Sequence, residues 1–357
     1  MDRYILAINP GSTSTKIALY NNTTLLNVNS VRHDVNELSR YKTMFDQKDY
    51  RLNVIIDFLE TNNIDINNID VFVGRGGLLK PLKQSGVYLI NEEMLKDLES
   101  EKYGTHASNL GAYLAYSLAR IKNVESYIVD PVVVDELSDI SRVTGLKEIE
   151  KKSIFHALNQ KKVAKMHSVL VGKKYEDLNL IVAHLGGGIS IGLHKQGRVV
   201  DVNDALGGEG PFSPERSGTM PAFSLLEYYT KNNLTLDEAK KILVGKGGLV
   251  SYLGTNSGYE IRKKIADGDN EAVFYIKAMA YQIAKEIGSL YFAANGKVDY
   301  CILTGGLTYF KLLIDEINSY LSGLVNVYVY YGENEMEALV YGVLKVLNNE
   351  EKLHHYI

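Results

Sequence analysis

The segment YILAINPGSTSTKIALY, residues 4–20, decides the fold. Together with the residues that follow, it has the pattern of three short strands joined by a small-residue loop and an asparagine turn. In order, these are the strand Tyr4–Ile8, the loop Asn9–Thr15, the strand Lys16–Tyr20, the turn Asn21–Asn22 and the strand Thr24–Val31. Consecutive strands of this kind predict an antiparallel meander.

The same order of elements returns in the second half of the chain. There the pattern predicts the strand Leu178–Leu185, the loop Gly186–Gly188, the strand Ile189–His194, the turn Lys195–Gly197 and the strand Arg198–Val202. A repeat of strand, small-residue loop, strand, turn and strand indicates two related domains, because each copy can form a similar unit. We therefore expect an α/β fold with two domains.

Alternating helices and strands fill the remaining sequence. Helical patterns cover Asn53–Thr61, Ala107–Ile121, Asp269–Phe292 and Met336–Leu347, and further strands are predicted at Val71–Val73, Tyr127–Val129 and Tyr300–Leu303. We expect a mixed sheet in each domain. The predicted N-terminal domain is residues 1–170, completed by the C-terminal helix near 336–357, and the second domain is 171–335.

Composition narrows the class of protein. The 357 residues are 45% hydrophobic and 23% charged, and the net charge of -4 gives no electrostatic reason to expect nucleic acid or an anionic membrane as a partner. The single cysteine, Cys301, excludes an intrachain disulfide and a CxxC metal site. No apolar run reaches the ~20 residues that span a bilayer, and we expect a cytoplasmic protein.

Three small-residue loops follow apolar strands and fit phosphate, which needs closely approaching backbone N–H groups. They are Asn9–Lys16, His184–Ser190 and Thr304–Gly306. Each alone could be a tight turn, but three in two repeated halves favour a nucleotide site. No GxxxxGK[ST] and no GxGxxG after a strand occurs, which disfavours a Walker ATPase and a Rossmann dehydrogenase.

The first two loops resemble the two signatures of the acetokinase family. Residues 9–16 match N-x-G-S-[ST]-[ST]-x-K, and residues 184–190 match H-[LIVM]-G-x-G-x-[ST]. Further segments resembling the family's are Gly74–Gly77, Gly104–His106, Val129–Pro131, Ile154–His156, Glu215–Gly218, Thr304–Gly306 and Asn334–Glu335. Within the family, residues 9–16, the run at 129–136 and the compact length look like butyrate kinase rather than acetate kinase.

This resemblance implies two ribonuclease-H-like, actin-like ATPase domains with an interdomain ATP cleft, and the cofactors ATP/ADP and Mg2+. It also implies a reversible phosphoryl transfer from ATP to a short-chain fatty acid, here butyrate, and a homo-oligomer that is at least a dimer. Isobutyrate, another branched short acid or acetate remains an alternative acceptor. An ATP-binding switch of the Hsp70 and actin type is the alternative from another class, although a switch would not need an acceptor site.

The resemblance also implies roles for individual residues. The catalytic set is Arg216, Arg75, His156, Asp130 and His106; the nucleotide-binding set is Asn9, Ser12, Ser14, Lys16, His184, Gly186, Gly187, Gly188, Gly305 and Gly306; and the Mg2+ carboxylates are Glu335 and Asp130. The two arginines suit bidentate binding of carboxylate or phosphoryl oxygens. Carboxylates suit Mg2+, a hard cation. Local roles are the alternatives: an irregular loop for Arg216, a turn for Arg75, structural histidines, and capping carboxylates.

Two departures from the family limit this transfer of roles. Gly187 stands where acetate kinases carry asparagine, and Ile154–Asn159 replaces their F-H-G-T-S-H run. The resemblance therefore does not imply, at these positions, the contacts that the family's side chains make.

Overall fold

The computed structural model describes residues 2–357, and for Val35 the backbone alone. The strands are β1 (Tyr4–Pro10), β2 (Ser14–Asn21), β3 (Thr24–Arg32), β4 (Val71–Arg75), β5 (Val87–Leu89), β6 (Ser126–Val129), β7 (Leu180–Leu185), β8 (Ile189–Lys195), β9 (Arg198–Val202), β10 (Tyr300–Thr304), β11 (Val327–Val329) and β12 (Leu353–His355).

The α-helices are α1 (Val35–Leu38), α2 (Lys48–Thr61), α3 (Glu92–Glu99), α4 (Asn109–Lys122), α5 (Asp139–Arg142), α6 (Ala157–Leu170), α7 (Ala222–Lys231), α8 (Leu236–Leu243), α9 (Gly248–Leu253), α10 (Gly258–Ala266), α11 (Asn270–Ala293), α12 (Lys311–Leu321) and α13 (Glu335–Leu347). Every strand and helix predicted from the sequence is present, with shifts of a few residues at the ends.

Two mixed sheets repeat one topology. The first has the order β12-β5-β6-β4-β1-β2-β3, and the second has the order β11-β10-β7-β8-β9. In each sheet the meander is antiparallel, and two later strands run parallel to its first strand: β4 and β6 in one, β10 and β11 in the other. Because parallel neighbours end at the same edge of a sheet, the loops after β1 and β4 meet, as do those after β7 and β10.

The chain separates into two compact units. The first runs to Val134 and takes in Asn334–Ile357, and the second is Asp135–Glu333. This division falls before the expected boundary at residue 170, because α6 packs on β7 and β10 of the second sheet. The helix α13 packs on β1 and β6 of the first sheet.

The second unit shows why these sequences form these elements. All six residues of β7 are buried, as expected for a central strand covered on both faces. The long helix α11 begins at Asp269, whose carboxylate accepts a hydrogen bond from the Ala272 N–H at 3.0 Å. Its buried residues recur every three or four positions: Ala272, Ile276, Met279, Ala280, Ile283, Ile287 and Leu290. Cys301 on β10 lies in the same core, where burial raises the pKa of its thiol to about 12.

No helix in the described residues is long and apolar enough to cross a membrane.

Candidate active site

In the first unit, three predicted residues meet at the carboxyl edge of the sheet. Asn9 ends β1, Arg75 ends β4 and Glu335 begins α13. Asn9 Nδ2 donates to Glu335 Oε2 at 2.6 Å, and Arg75 Nη1 lies 3.2 Å from the same oxygen and 3.3 Å from Asn9 Oδ1. The side chains of Arg75 and Glu335 are 18% and 7% exposed. A largely buried cation, carboxylate and amide therefore form one connected cluster.

Glycines allow the helix α4 to approach this cluster. A side chain at Gly74 on β4 would place its Cβ 2.0 Å from the carbonyl oxygen of Gly111 on α4, and one at Gly111 would lie 2.2 Å from the Arg75 carbonyl oxygen. Such distances exclude any side chain at either position. The close strand-to-helix packing fixes the backbone at Arg75.

The loop after β1 is held from beneath by Arg51, a residue of α2 that the sequence did not single out. Arg51 is fully buried, and its guanidinium donates to the carbonyl oxygens of Gly11, Ser12 and Ser14 at 2.8, 3.2 and 3.1 Å. In a trans peptide the next N–H points opposite to the carbonyl. The N–H groups of Ser12 and Thr13 therefore point away from Arg51, as an anion-binding loop requires.

Neutral groups complete this support. Thr15 Oγ1 lies 2.8 Å from His33 Nε2 and accepts from Arg51 Nη1 at 3.1 Å. Burial and the nearby Arg51 charge lower the pKa of His33 to about 4, so His33 is neutral at neutral pH. Burial also lowers the pKa of Arg51 to about 10, which leaves this guanidinium charged. Arg51 could have been found in the sequence as an arginine at the helical spacing of the apolar residues that α2 buries.

Four further predicted residues of this unit lie on β2, in the loop after β1 and before α4. Lys16 pairs with Asn9 across β1 and β2, Ser12 is exposed, and Lys16 and Ser14 are partly buried. His106 precedes α4, and its Nδ1 accepts from the Ser108 N–H at 3.2 Å.

Asp130 follows β6 and is buried, with a left-handed backbone at φ 38°. Its Oδ1 accepts from the Gly86 N–H at 2.6 Å. Asp130 therefore binds a backbone N–H, which is the kind of local capping role that the sequence left open as an alternative to metal binding. Among the described residues, no group of three or more histidines, cysteines or carboxylates could hold a metal ion. Mg2+ bound with phosphate needs only one or two carboxylates, so Asp130 and Glu335 are compatible with such a site.

In the second unit, the two predicted histidines stack. The rings of His156, which precedes α6, and His184 on β7 have centroids 3.8 Å apart and planes 10° apart. His184 Nδ1 lies 2.9 Å from Asn159 Oδ1, and His156 Nδ1 lies 2.9 Å from Ser190 Oγ. Each ring is thus held through Nδ1.

Arg216 lies directly on the glycine loop after β7. A Cβ at Gly188 would be 2.1 Å from Arg216 Nη1 and 2.3 Å from its Cζ, so the guanidinium occupies the space that a side chain would fill. Arg216 Nη1 also donates to the Ala205 carbonyl at 2.7 Å. The turn that carries Arg216 is tied to the loop, because Ser213 Oγ donates to the Gly187 carbonyl at 2.5 Å.

The loop after β10 reaches the same place. Gly305 has φ 99°, and a Cβ there would lie 2.3 Å from the Leu185 carbonyl oxygen, which only glycine avoids. Glu333 Oε1 lies 3.5 Å from His184 Nε2. Cβ atoms at Gly186 and Gly306 would lie 3.2 and 4.0 Å from the same oxygen. The sequence does not single out Glu333, because it lies outside the loop Thr304–Gly306 and the segment Asn334–Glu335.

Gly187 and Asn159, where the chain departs from the family pattern, both lie in this cluster. A Cβ at Gly187 would be 3.3 Å from Glu215 Oε1, and Asn159 binds His184 as described above. The structure therefore brings together His156, His184, Gly186, Gly187, Gly188, Arg216, Gly305 and Gly306 in the second unit. Histidine, arginine and backbone groups are all able to bind phosphate oxygens.

Comparison with known proteins agrees with the signatures. A model of the acetokinase family matches residues 147–319. This match covers just under half of the chain, including the second meander and Arg216.

Solved structures of carboxylate kinases have the same fold. Acetate kinase from Porphyromonas gingivalis aligns with a TM-score of 0.75 at 18% identity, over 97% of this chain and 100% of that one. A propionate kinase from Francisella tularensis subsp. tularensis SCHU S4 aligns with a TM-score of 0.75 at 20% identity, over 95% of this chain and 98% of that one. Acetate kinase from Entamoeba histolytica gives 0.71 at 17% identity, over 95% and 98%. The prediction of a two-domain, actin-like ATPase fold is confirmed.

Proposed function

We propose that this chain is a carboxylate kinase that transfers a phosphoryl group reversibly between ATP and a short-chain fatty acid. The observation that carries the proposal is the cluster in the second unit, where Arg216 lies on Gly188 beside the stacked His156 and His184. These groups offer N–H donors at the ends of β7 and β10. The similarity to the acetokinase family over residues 147–319 supports the same conclusion.

The residue types suit this reaction. A carboxylate nucleophile is already ionised near neutral pH, with a reference pKa of ~4, so no strong base is needed. Charge on the transferring group must instead be stabilised by donors held in fixed positions. Arg216 would bind the transferring phosphoryl oxygens, and His156 would donate a hydrogen bond to them. The loops Gly186–Gly188 and Gly305–Gly306 would line the nucleotide, with His184 ordering the first of them.

In the first unit, the residues around Arg75 suit a carboxylate ligand and a metal ion. Arg75 uses Nη1 for Asn9 and Glu335, and a guanidinium carries five N–H donors in all, which leaves capacity for a substrate carboxylate. Glu335 and Asp130 would hold Mg2+ directly or through water. The metal would supply positive charge that offsets the charge of the phosphates. Ser12, Ser14 and Lys16 would contact phosphate, and His106 would assist near the acceptor.

Butyrate is the proposed acceptor, with the reaction butanoate + ATP = butanoyl phosphate + ADP. The sequence of residues 9–16 and 129–136 supports this subclass. Acetate, isobutyrate and other branched acids are the alternatives, and the matched structures are of acetate and propionate kinases. One methylene changes binding by only ~1–3 kcal/mol, so neighbouring acids will also react.

The test is acyl hydroxamate formation from purified protein, MgATP and hydroxylamine with acids from acetate to valerate, including isobutyrate. We expect the highest kcat/KM with butyrate. A maximum with acetate would keep the mechanism and refute the subclass. Tight ATP binding without any hydroxamate would contradict the kinase and favour a nucleotide switch or an inactive relative.

We also propose a cytoplasmic homo-oligomer. In the second unit, α7 and α8 contain no buried residue, and Phe223, Leu226 and Leu236 are 73, 62 and 64% exposed. Apolar side chains in such number on two neighbouring helices favour association. Light scattering should show a dimer or larger species, with dissociation in Phe223→Asp; a monomeric wild type would contradict this assembly.

A further inference from the structure

A hydrogen-bonded chain of buried side chains runs through the second unit and ends at His156. Its members are Tyr175, His194, Gln160, Ser190 and His156. Gln160, Ser190 and His194 are fully buried and Tyr175 is 5% exposed, whereas His156 is only partly buried. The directions of these hydrogen bonds follow from two backbone groups, the Ser190 carbonyl and the His156 N–H, and from the neutral state of His194.

The carbonyl of Ser190 fixes the orientation of Gln160. Gln160 Nε2 lies 3.0 Å from this oxygen, which can only accept, so the amide nitrogen of Gln160 must face it. The amide oxygen Oε1 then faces His194 Nε2 at 3.0 Å. Because Oε1 can only accept, His194 Nε2 carries a hydrogen.

The hydrogen bond between Tyr175 and His194, at the other end of the hydrogen-bonded chain, agrees with this assignment. Burial and the nearby charge of Lys161 lower the pKa of His194 well below its usual value, so this ring is neutral. With its hydrogen on Nε2, His194 Nδ1 is an acceptor, and the Tyr175 hydroxyl donates to it at 2.7 Å. Each group from Tyr175 to Gln160 therefore donates towards His156.

The Ser190 hydroxyl also donates towards His156, to the Nδ1 atom of its imidazole. Ser190 Oγ accepts from Gln160 Nε2 at 2.9 Å and from the His156 N–H at 3.3 Å, which uses both lone pairs of the hydroxyl. Its single hydrogen is left for His156 Nδ1 at 2.9 Å. A neutral His156 therefore carries its own hydrogen on Nε2.

The local fold is built for this contact. Ser190, Gly192 and His194 alternate along β8 and so share one face of the strand, while His156 and Gln160 are four residues apart at the start of α6. A Cβ at Gly192 would lie 2.6 Å from Gln160 Oε1 and 3.4 Å from His194 Nε2. The absence of a side chain at Gly192 thus leaves room for the amide.

We propose that Tyr175, His194, Gln160 and Ser190 are positioning residues that hold neutral His156 in the Nε2–H form, so that His156 presents a hydrogen-bond donor to an anionic oxygen. The chemical class of ligand is a phosphoryl group. The effect of these residues on catalysis rests on the proposed function. The tautomer itself is a property of the protein that is measured without substrate.

The experiment is long-range proton–nitrogen correlation NMR on protein labelled with 15N-histidine, near neutral pH, with His156 assigned by its loss in His156→Gln. We expect a single tautomer, with a protonated Nε2 and an imine-type Nδ1. Ser190→Ala should give the mixed tautomers of an unconstrained imidazole. Wild-type signals of the Nδ1–H form, or of that mixture, would overturn the proposal.

Gln160→Glu provides a second, opposite change. A carboxylate cannot donate to Ser190 Oγ and would accept its hydrogen, so His156 Nδ1 must then donate. We expect the Nδ1–H form or the cation in this variant. An unchanged His156 spectrum in a folded Gln160→Glu protein would contradict the chain.

Kinetics separate positioning from general damage. We expect Ser190→Ala to lower kcat about 10- to 100-fold, as for other groups that orient a functional histidine, with little change in the KM for ATP. Ser168→Ala is the matched control, because Ser168 lies on α6 and its hydroxyl donates to the Lys165 carbonyl. Tyr175→Phe should lower kcat more than Tyr330→Phe, whose hydroxyl contacts the separate His167.

The outcomes are distinguishable from those of the proposed function. A protein that forms no acyl phosphate with any acid but shows the single Nε2–H form would refute the kinase and keep the positioning chain. An active enzyme with equal kcat in Ser190→Ala would keep the kinase and overturn the positioning role.

Discussion

The loops after β1 and β7 occupy the same place in two sheets of the same topology, yet different chemistry holds them. A buried cation supports the first loop, because Arg51 binds three of its carbonyl oxygens from beneath. The second loop has a cation on its surface, because Arg216 lies against Gly188, and neutral hydrogen-bonded side chains lie behind it. One arginine therefore shapes a loop, whereas we propose that the other binds a ligand.

This comparison predicts that the two arginines fail in different ways. Removing Arg216 should affect turnover and leave the fold intact, whereas removing Arg51 should affect the fold of the first unit.

Arg216→Ala should lower kcat about 10³-fold, because it removes a fixed cation from the transferring phosphoryl group. The melting temperature should change little. Steady-state kinetics and calorimetry measure the two effects. Arg262→Ala, which removes an exposed arginine of α10 in the same unit, is the control and should keep full activity. Equal activity in Arg216→Ala would refute the proposed mechanism.

Arg51→Met should destabilise the first unit by about 3 kcal/mol, since it removes three hydrogen bonds to partly buried carbonyls that contribute about 1 kcal/mol each. Arg51→Lys should recover only part of this loss, because one ammonium lacks the planar fork that spans several carbonyls. Hydrogen exchange across β1 and β2 measures the local stability. Unchanged protection in Arg51→Met would show that the loop does not depend on Arg51.

Gly188→Ala should lower kcat about 10²-fold, because the new Cβ would lie where the Arg216 guanidinium packs. The backbone need not move, since the displaced atoms belong to the end of a long side chain. The matched control is Gly288→Ala on α11, where a Cβ meets nothing within 4 Å. A kcat in Gly188→Ala equal to or higher than that of Gly288→Ala would contradict the prediction.

Acid should weaken the first loop through His33. The pKa of His33 is about 4 in the folded protein, below its ordinary value of 6.5, because of burial and Arg51. The unfolded chain therefore binds the proton more tightly, so the stability that neutral His33 contributes is present above pH ~6.5 and is lost as the pH falls towards ~4. The total is about 2 kcal/mol after allowance for solvent screening.

Calorimetry at about pH 7 and about pH 5 tests this effect. The drop in melting temperature should be smaller in His33→Gln, which has no titratable group at this position. An equal drop in both proteins would assign the acid sensitivity to other groups.

Much of the fold could be predicted from the sequence because the signals were local. The continuous apolar run Tyr4–Ile8 and the small residues that follow are enough to define a strand and its loop. The Gly305 backbone, with positive φ and a close carbonyl, likewise follows from a glycine after an apolar strand. The boundary after Val134 depends on how α6 packs on the second sheet, and this long-range contact leaves no composition signal.

The candidate site could be predicted where residues lie in motifs, as for Arg216 and His184. Arg51 and Gln160 could not, because their importance arises from distant contacts. Arg51 is about 40 positions from the loop that it supports, and Gln160 contacts Ser190 from another element. A single sequence gives such residues no more weight than other polar residues of a helix or a strand.

Phosphorus NMR of purified protein with MgATP and butyrate observes the proposed reaction itself. We expect an acyl phosphate signal that grows together with equimolar ADP, depends on butyrate and is absent in Arg216→Ala. ADP release that is independent of butyrate, with no acyl phosphate, would contradict the proposed reaction.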